Sequence, residues 1–537
     1  MMKNLPKSLE DFILLCDNSK EVQEEVLKDI LKSASKTEIG EKFDFKTIDS
    51  VDTFRTRMPV SSWQDVEVFA KRMQDGEGDL LFEGKPPFFV CTSGSTGKIK
   101  IIPESQNSKK LKSLVGNLRI EAIVKNSPSV MDGKIFPIVN HAIEGYTKAG
   151  IPYGSASGIT LLTISDEIKN KVSFPMELLE IDYSKKMDYF LMRFAVENDV
   201  RCVFGNNAGR LTQLIQTVQK EAKYIIEDIK NGTLFGMEEL AEDIQIKLKK
   251  IMKPNPKLAS FLQKSIEEKG SLLPEAYWPN LKAVVCWLSG SVGQYVKTLK
   301  PFLSKDILLF DFGYGATEGK FNIPTKPDYP LGILSIFSVF YEFKEIGSDE
   351  FLMAHELKNN TRYEMYVTTY SGLYRYDMQD IIYVDGFVGS TPKIVFQSKA
   401  GEMLNLCGEK VSASSLIAVV NKAVLEVTDS SLVHWCIVPN EDEKYYHFYI
   451  EVPSLSGNIK DISQKIEVLL EKLLQSETLI YPIFREQKLL QSLKLTLMKE
   501  GWQEALYKEQ TNENRSRTQV KLPLIYEKLP KKEFCFE

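Results

Sequence analysis

The chain reads as an α/β protein with a large N-terminal domain of mostly parallel sheet and a barrel-like β part, followed by a smaller α+β C-terminal domain. Three observations predict this. Short apolar runs alternate with helix-period stretches over the first half of the sequence. From about residue 333 to 397 the pattern changes to alternating β segments. A length of 537 residues exceeds what one hydrophobic core supports, since single cores stop growing at about 250–300 residues.

Taken in order, residues 20–34 place Val22, Val26, Ile30 and Leu31 on one helical face. The apolar run Pro87–Cys91 is a strand that opens into a glycine- and hydroxyl-rich loop. Residues 186–196 have helical periodicity; Val200–Phe204 is a short buried strand, followed by a Gly-Asn-Asn turn and a helix over about 210–221. The charged stretch 222–270 is helical and interrupted at Pro254-Asn255-Pro256. Leu281–Leu288 and Asp306–Phe312 are buried strands that end in glycine-containing loops. Tyr363–Tyr370 and Lys393–Gln397 are strands of the β region, and a helix is expected at about 459–475. The polar turn Ser398–Glu402 sets the boundary: a domain over 1–397, a hinge at 398–402 and a domain over 403–537.

Composition narrows the function classes. A hydrophobic share of 43% with 26% charged residues is that of an ordinary globular protein. A net charge of -5 argues against a general nucleic-acid binder. Seven scattered cysteines without a C-x-x-C pair read as reduced thiols in a reducing compartment. Four histidines, none at ligand spacing, argue against a zinc site or a Ser-His-Asp triad. With no export leader and no apolar segment of membrane-spanning length, a cytoplasmic protein is expected. A monomer is expected too, acting on small molecules without nucleic-acid or membrane partners.

Four motifs carry chemistry. In Thr92-Ser93-Gly94-Ser95-Thr96-Gly97-Lys98, glycines let backbone amides converge while hydroxyls, Lys98 and Lys100 add donors and charge, as a polyphosphate requires. The spacing is not that of a Walker A loop, and as a bare pattern it also fits an ordinary turn. In Asp311–Gly319, Tyr314 offers a ring for stacking, Thr317 a hydroxyl, and Glu318 a carboxylate able to hold a phosphate-bridging Mg²⁺. A polar strand-to-helix turn with a solvated glutamate is the plainer alternative. In Thr368–Asp380, Asp380 can accept bonds from a ribose diol and Arg375 can meet a phosphate bidentately, unless the two form a surface pair. The fourth is Ser516-Arg-Thr-Gln-Val-Lys521-Leu-Pro523, where a lone lysine is ordinarily a solvated charge.

In this order the four resemble the adenylate-forming enzymes, and most closely the Gretchen Hagen family of acyl acid-amido synthetases, over most of the chain. Phe54–Asp65 resembles the segment before that family's phosphate loop, and Thr92–Pro103 the loop itself. Trp278–Lys282 and Ser289–Tyr295 are similar to its adenine-side strand and loop, which bring in Gly290 and Ser291. Tyr314-Gly315-Ala316-Thr317-Glu318 resembles its Tyr-Ala-Ser/Thr-Ser/Thr-Glu motif. Thr368–Tyr376 and Asp380–Phe387 resemble its nucleotide segment, and Ser516–Pro523 its C-terminal Lys-x-Pro. Ser-Thr-Gly-Lys in the phosphate loop departs from the Thr-Ser-Ala-Gly usual in plant members.

The resemblance implies the adenylate-forming fold with a mobile C-terminal domain, ATP and Mg²⁺ as cofactors, and a small carboxylic acid and an amino acid as substrates. It implies that Ser93, Ser95, Thr96 and Lys98 hold phosphates, Tyr314 adenine and Thr317 the α-phosphate. Glu318 is given Mg²⁺, Asp380 the ribose, and Lys521 the bridge between carboxylate and α-phosphate. Phe204, Asn206 and Asn207 fall where the family's acyl pocket begins, and Tyr146 and Tyr153 lie in a loop that could line it. Core packing or a plain turn would place these residues equally well. Two other functions use the same constellation: an acyl-CoA ligase, and a non-catalytic nucleotide-binding regulator. The second is disfavoured because every charged position is occupied.

Overall fold

A computed structural model describes residues 5–91, 100–138, 143–156, 158, 166–181, 186–205, 207–289, 296–399, 403–404, 406–407, 409, 411–430, 433–455, 457–478, 481–510 and 522–536. Two compact units are present. The first runs to Val395, and the second comprises Gln379–Ile381 together with Phe396 onward.

In the first unit, β1 (Phe88–Cys91), β2 (Ile101–Glu104), β4 (Gly145–Tyr146) and β5 (Pro152–Ser155) form a sheet in the order β2-β1-β5-β4. β1 and β2 pair antiparallel from Phe88↔Glu104 to Cys91↔Ile101. The all-parallel sheet expected from the alternation is β3 (Lys134–Ile138), β6 (Val200–Gly205), β7 (Ala283–Cys286) and β8 (Leu308–Asp311), in that spatial order. Its strands are buried apolar runs, as a sheet covered on both faces requires.

Helices fall where the periodicity puts them over 20–34, 186–196, 210–221 and 222–270, and one more covers 106–126. They are α1 (Ser19–Ser33), α2 (Gln106–Asn126), α3 (Met187–Val196), α4 (Ala208–Lys220), α5 (Ala222–Asn231), α6 (Glu242–Ile251) and α7 (Pro256–Lys269). The Pro254-Asn255-Pro256 break has a local cause. Asn255 caps α7 by accepting the Leu258 amide, and Pro256 takes the first helical position, where its missing N–H is harmless. The β region is a seven-stranded sheet of β9 (Asn322–Pro324), β10 (Gly332–Leu334), β11 (Phe340–Glu345), β12 (Phe351–Leu352), β13 (Thr361–Thr368), β14 (Tyr376–Val388) and β15 (Thr391–Lys399), ordered β12-β11-β13-β14-β15-β10-β9.

In the second unit, β16 (Met403–Leu404) pairs with β17 (Val411–Ser412). β18 (His434–Asn440), β19 (Tyr445–Glu451) and β20 (Lys494–Met498) form a three-stranded sheet. α8 (Ala413–Thr428) and α9 (Ile459–Glu477) share its core: Val420 and Leu470 lie with Tyr446, Phe448 and Ile450, the inward alternate residues of β19. No helix among the described residues is long and apolar enough to cross a membrane. None of the seven cysteines is in a disulfide, and burial raises the Cys16 and Cys286 thiols to about 12.

Gln23 joins α1 to the β region. Its buried amide donates to the carbonyls of Ile336 (2.5 Å) and Val339 (2.8 Å) and accepts the Tyr341 amide (2.8 Å). Gln23→Leu fills similar volume but orphans these three backbone groups. It should lower stability by about 2–4 kcal/mol in urea unfolding, where a surface-like effect below about 0.5 kcal/mol would refute the link.

Candidate active site

α2 organises the site. Its N-cap Ser105 accepts the Ser108 amide, and the Ser105 amide itself donates to Ser371 Oγ (3.0 Å), fixing the start of the helix on the 368–376 segment. From there Ser108, Lys112, Gly116 and Arg119 recur every three or four residues and so share a face. That face meets the loop after β8.

Arg119 is buried, and its guanidinium donates to three carbonyls of that loop: Phe312 (2.9 Å), Tyr314 (3.0 Å) and Asn322 (2.9 Å). Burial pulls its pKa down to about 10, which leaves it a cation at neutral pH. Gly313 lies against it with φ +84°, and a Cβ there would stand 2.4 Å from the guanidinium carbon. Asp311 pins the same turn by accepting the amides of Gly313 (2.7 Å) and Leu288 (2.8 Å). Burial holds its carboxyl up at about 6 despite these bonds. Asn322 accepts the Tyr314 amide and donates to the Ile394 carbonyl.

Further along the loop, Ala316 and Gly319 exchange backbone bonds, and Lys112 Nζ donates to the Thr317 carbonyl (2.8 Å) and to Glu104 (2.5 Å). The backbone is thus held at 312, 314, 316, 317, 319 and 322. The side chains of the motif are not consumed in holding it: neither Thr317 nor Glu318, the latter only 9% exposed, bonds through its side chain to any described residue. Tyr314 is buried with its ring 4.9 Å from that of Phe321.

The N-terminal domain profile of the GH3 family matches residues 8–308. The chain belongs to the GH3 family. The profiles of the GH3 family central and C-terminal domains match residues 332–399 and 414–530. Among curated relatives, 4-substituted benzoates-glutamate ligase GH3.12 of Arabidopsis thaliana is 26% identical, covering 85% of this chain and 82% of its own. Indole-3-acetic acid-amido synthetase GH3.4 of the same plant is 24% identical over 94% of this chain and 89% of its own. Jasmonoyl--L-amino acid synthetase JAR6 of Nicotiana attenuata is 23% identical over 79% and 77%. The solved structure of GH3.15 acyl acid amido synthetase shares the fold, with a TM-score of 0.82 at 21% identity over 98% of this chain and 94% of that one.

In this GH3 chain Gly315, Ala316, Thr317 and Glu318 lie together on the Arg119-held loop. Ser93, Gly94, Ser95, Thr96, Gly97, Lys98, Asn206, Gly290, Ser291 and Lys521 lie outside the described residues. Lys100 donates to the Tyr376 hydroxyl (3.1 Å), with its ammonium 5.8 Å from the Tyr376 and Trp63 ring centroids.

Arg375 corrects an expectation. It is buried at φ +45°, and its guanidinium is used inside the protein instead of meeting a phosphate or forming a surface pair with Asp380. It donates to Glu342 (2.9 Å) and to the carbonyls of Arg55 (3.1 Å) and Met58 (2.9 Å). Glu342 also takes Arg55 Nε (2.9 Å), so one buried carboxylate serves two arginines and ties the 54–58 segment to the nucleotide segment. Asp380, in the second unit, is buried 2.5 Å from Lys399 Nζ.

Of the acyl-pocket candidates, Phe204 packs on the core of the parallel sheet. The Asn207 side chain caps α4 by accepting the Gly209 amide (2.8 Å), a structural use. Tyr146 is 64% exposed on β4. Lys112, Arg119 and Glu104 escaped sequence reasoning. Their signal was a helical stripe (Leu111, Val115, Leu118, Ala122) that carries cations on its apolar face.

Gly116 makes room for one more cation: Lys320 Nζ lies 3.0 Å from where a Cβ would stand. Burial, with Arg119 and Lys112 nearby, brings Lys320 down to about 7. Above pH 7 the unfolded chain then binds a proton that the folded chain does not, so this group's contribution to stability rises with pH up to its ordinary value near 10.5. Lys320→Met removes the term. The variant should be more stable than the parent at pH 7, by an amount that shrinks toward pH 10, each pKa unit between the two states being worth about 1.4 kcal/mol. A pH-independent difference in urea unfolding would refute the burial of a protonatable amine.

Proposed function

We propose that this chain is an ATP-dependent acyl acid-amido synthetase: it adenylates a small carboxylic acid, releasing pyrophosphate, and transfers the acyl group to an amino acid with release of AMP. The observation that carries the reading is the contrast on the 312–322 loop, where the backbone is held by Arg119 and Lys112 while the Thr317 and Glu318 side chains remain unspent. Catalysis at a phosphorus centre is largely electrostatic and depends on groups that do not reorganise during the step. Curated relatives that conjugate benzoates, jasmonate or indole-3-acetate support the same class of reaction.

The first step forms a bond between a carboxylate oxygen and the α-phosphorus and breaks the bond to pyrophosphate. The second forms a C–N bond, with AMP as leaving group and one proton lost from the amine. Adenylation turns a poor leaving group into a good one, so the second step needs mainly positioning. On this reading Thr317 would donate to the α-phosphate. Glu318 would hold a Mg²⁺ ion through its carboxylate, which makes no bond to any described residue. Such an ion keeps waters and phosphate oxygens as its other ligands and, when bound, neutralises phosphate charge. The reading also assigns Ser93, Ser95, Thr96 and Lys98 to the phosphates, Tyr314 to adenine, Asp380 to the ribose, and Lys521 to the carboxylate–phosphate bridge. Residues 398–402 are the hinge between the domains 1–397 and 403–537.

Acid-dependent ATP–pyrophosphate exchange over a panel of carboxylic acids tests the first half-reaction. Adding amino acids or CoA then separates an amide product from a thioester. Glu318→Gln should lower exchange by about a hundredfold or more with the fold intact, because it removes a metal ligand at constant volume. Exchange at the parental rate would sink the metal assignment.

Lys521→Ala should cripple adenylation but leave amide formation from a chemically prepared acyl adenylate, because a group that contacts one transition state slows only that step. Equal loss in both half-reactions would assign Lys521 a structural role.

A further inference from the structure

Lys112 holds a position that the 314–318 motif does not reveal. Its ammonium bridges Glu104, the last residue of β2, and the carbonyl of Thr317, 205 residues away in sequence. The Glu104 side chain is 3% exposed and that of Lys112 20%, so this charge pair is largely withdrawn from water. The second oxygen of Glu104 is buried without a hydrogen-bond partner among the described residues, and its charge also acts on the nearby Lys320. Lys112 and Glu318 also line the same water-sized void.

The carbonyl that Lys112 takes is that of the peptide joining Thr317 to Glu318. A peptide unit is planar and includes the α-carbons on both sides, so fixing its oxygen fixes the N–Cα bond of Glu318 and leaves only rotation about that bond to set where its side chain leaves the backbone. A charged donor makes that constraint stronger than a neutral one would.

We propose that Lys112, braced by Glu104, is a positioning residue for adenylation that sets the Glu318 carboxylate for the metal–nucleotide complex. The inference rests on the assignment of Glu318 to Mg²⁺ given above. A lysine that only stabilised the fold would affect nucleotide binding with or without metal. A lysine that aims Glu318 affects the metal-dependent part alone.

The test is calorimetric titration of the full chain with ATP, in Mg²⁺ and in EDTA, for the parent, Lys112→Met, Glu104→Gln and Glu318→Gln. For Lys112→Met we expect affinity in EDTA within about twofold of the parent, and a loss of about fivefold or more in the tightening that Mg²⁺ confers. Its pyrophosphate exchange should fall about tenfold or more in kcat with KM for the acid little changed. Glu104→Gln keeps the bond from Lys112 to Thr317 but removes its counter-charge, and stands in if Lys112→Met does not fold. It should lose about twofold or more of the Mg²⁺ effect. Parental Mg²⁺ tightening in the folded variants overturns the inference, as does an equal loss of affinity with and without metal. Parental Mg²⁺ tightening in Glu318→Gln overturns the metal assignment and the inference with it. A Mg²⁺ effect that depends on Glu318 but not on Lys112 overturns the inference alone.

Discussion

A single buried guanidinium closes the loop on which Thr317 and Glu318 stand. Arg119 donates to the carbonyls of residues 312, 314 and 322, which face inward where water cannot satisfy them. An unpaired carbonyl in that place costs about 1–3 kcal/mol, and the cation would itself be unsupported without them. Each therefore requires the other. The arrangement pins a loop, ordinarily the least fixed part of a protein, at several backbone positions, and it does so from a helix that begins directly after β2. Backbone order and side-chain availability are separated: the protein uses its own charges on the main chain and leaves the Thr317 and Glu318 side chains without a bond to any described residue.

The same economy recurs around Glu342, where one buried carboxylate is matched to Arg55 and Arg375. Removing either arginine would strip one Glu342 carboxylate oxygen of its charged donor, and removing Glu342 would leave two cations. Breaking such an arrangement on one side costs about 3–5 kcal/mol. The network places the 54–58 segment against the 368–376 segment, and Ser61 extends it: its hydroxyl donates to the Tyr374 carbonyl (2.7 Å) and its amide to the Arg375 carbonyl (3.0 Å). Arg375 thus shapes the site without facing it.

Much of the fold was legible because it is written in local periodicity. The strand at 200–204 and the helices at 20–34, 186–196 and 210–221 are found within a residue or two of where the pattern puts them. The motif 314–318 was legible for the same reason: its chemistry lies in neighbouring residues. What escaped was everything set by distant partners. Nothing near Arg375 in sequence says that its charge is claimed by Glu342, 33 residues earlier, and nothing near Lys112 points to Thr317. Asn207 is a different case. An asparagine directly before a helix is a capping signal, and that local reading accounts for it better than a substrate contact does.

Gly313 and Arg119 also bear on how such a site can change over generations. Any side chain at 313 meets the guanidinium, and any shorter residue at 119 abandons three carbonyls while opening the space that a side chain at 313 could enter. Each single step is penalised and only the paired replacement restores packing. The two positions are therefore energetically coupled, so that replacing both should cost less than the sum of the two single replacements.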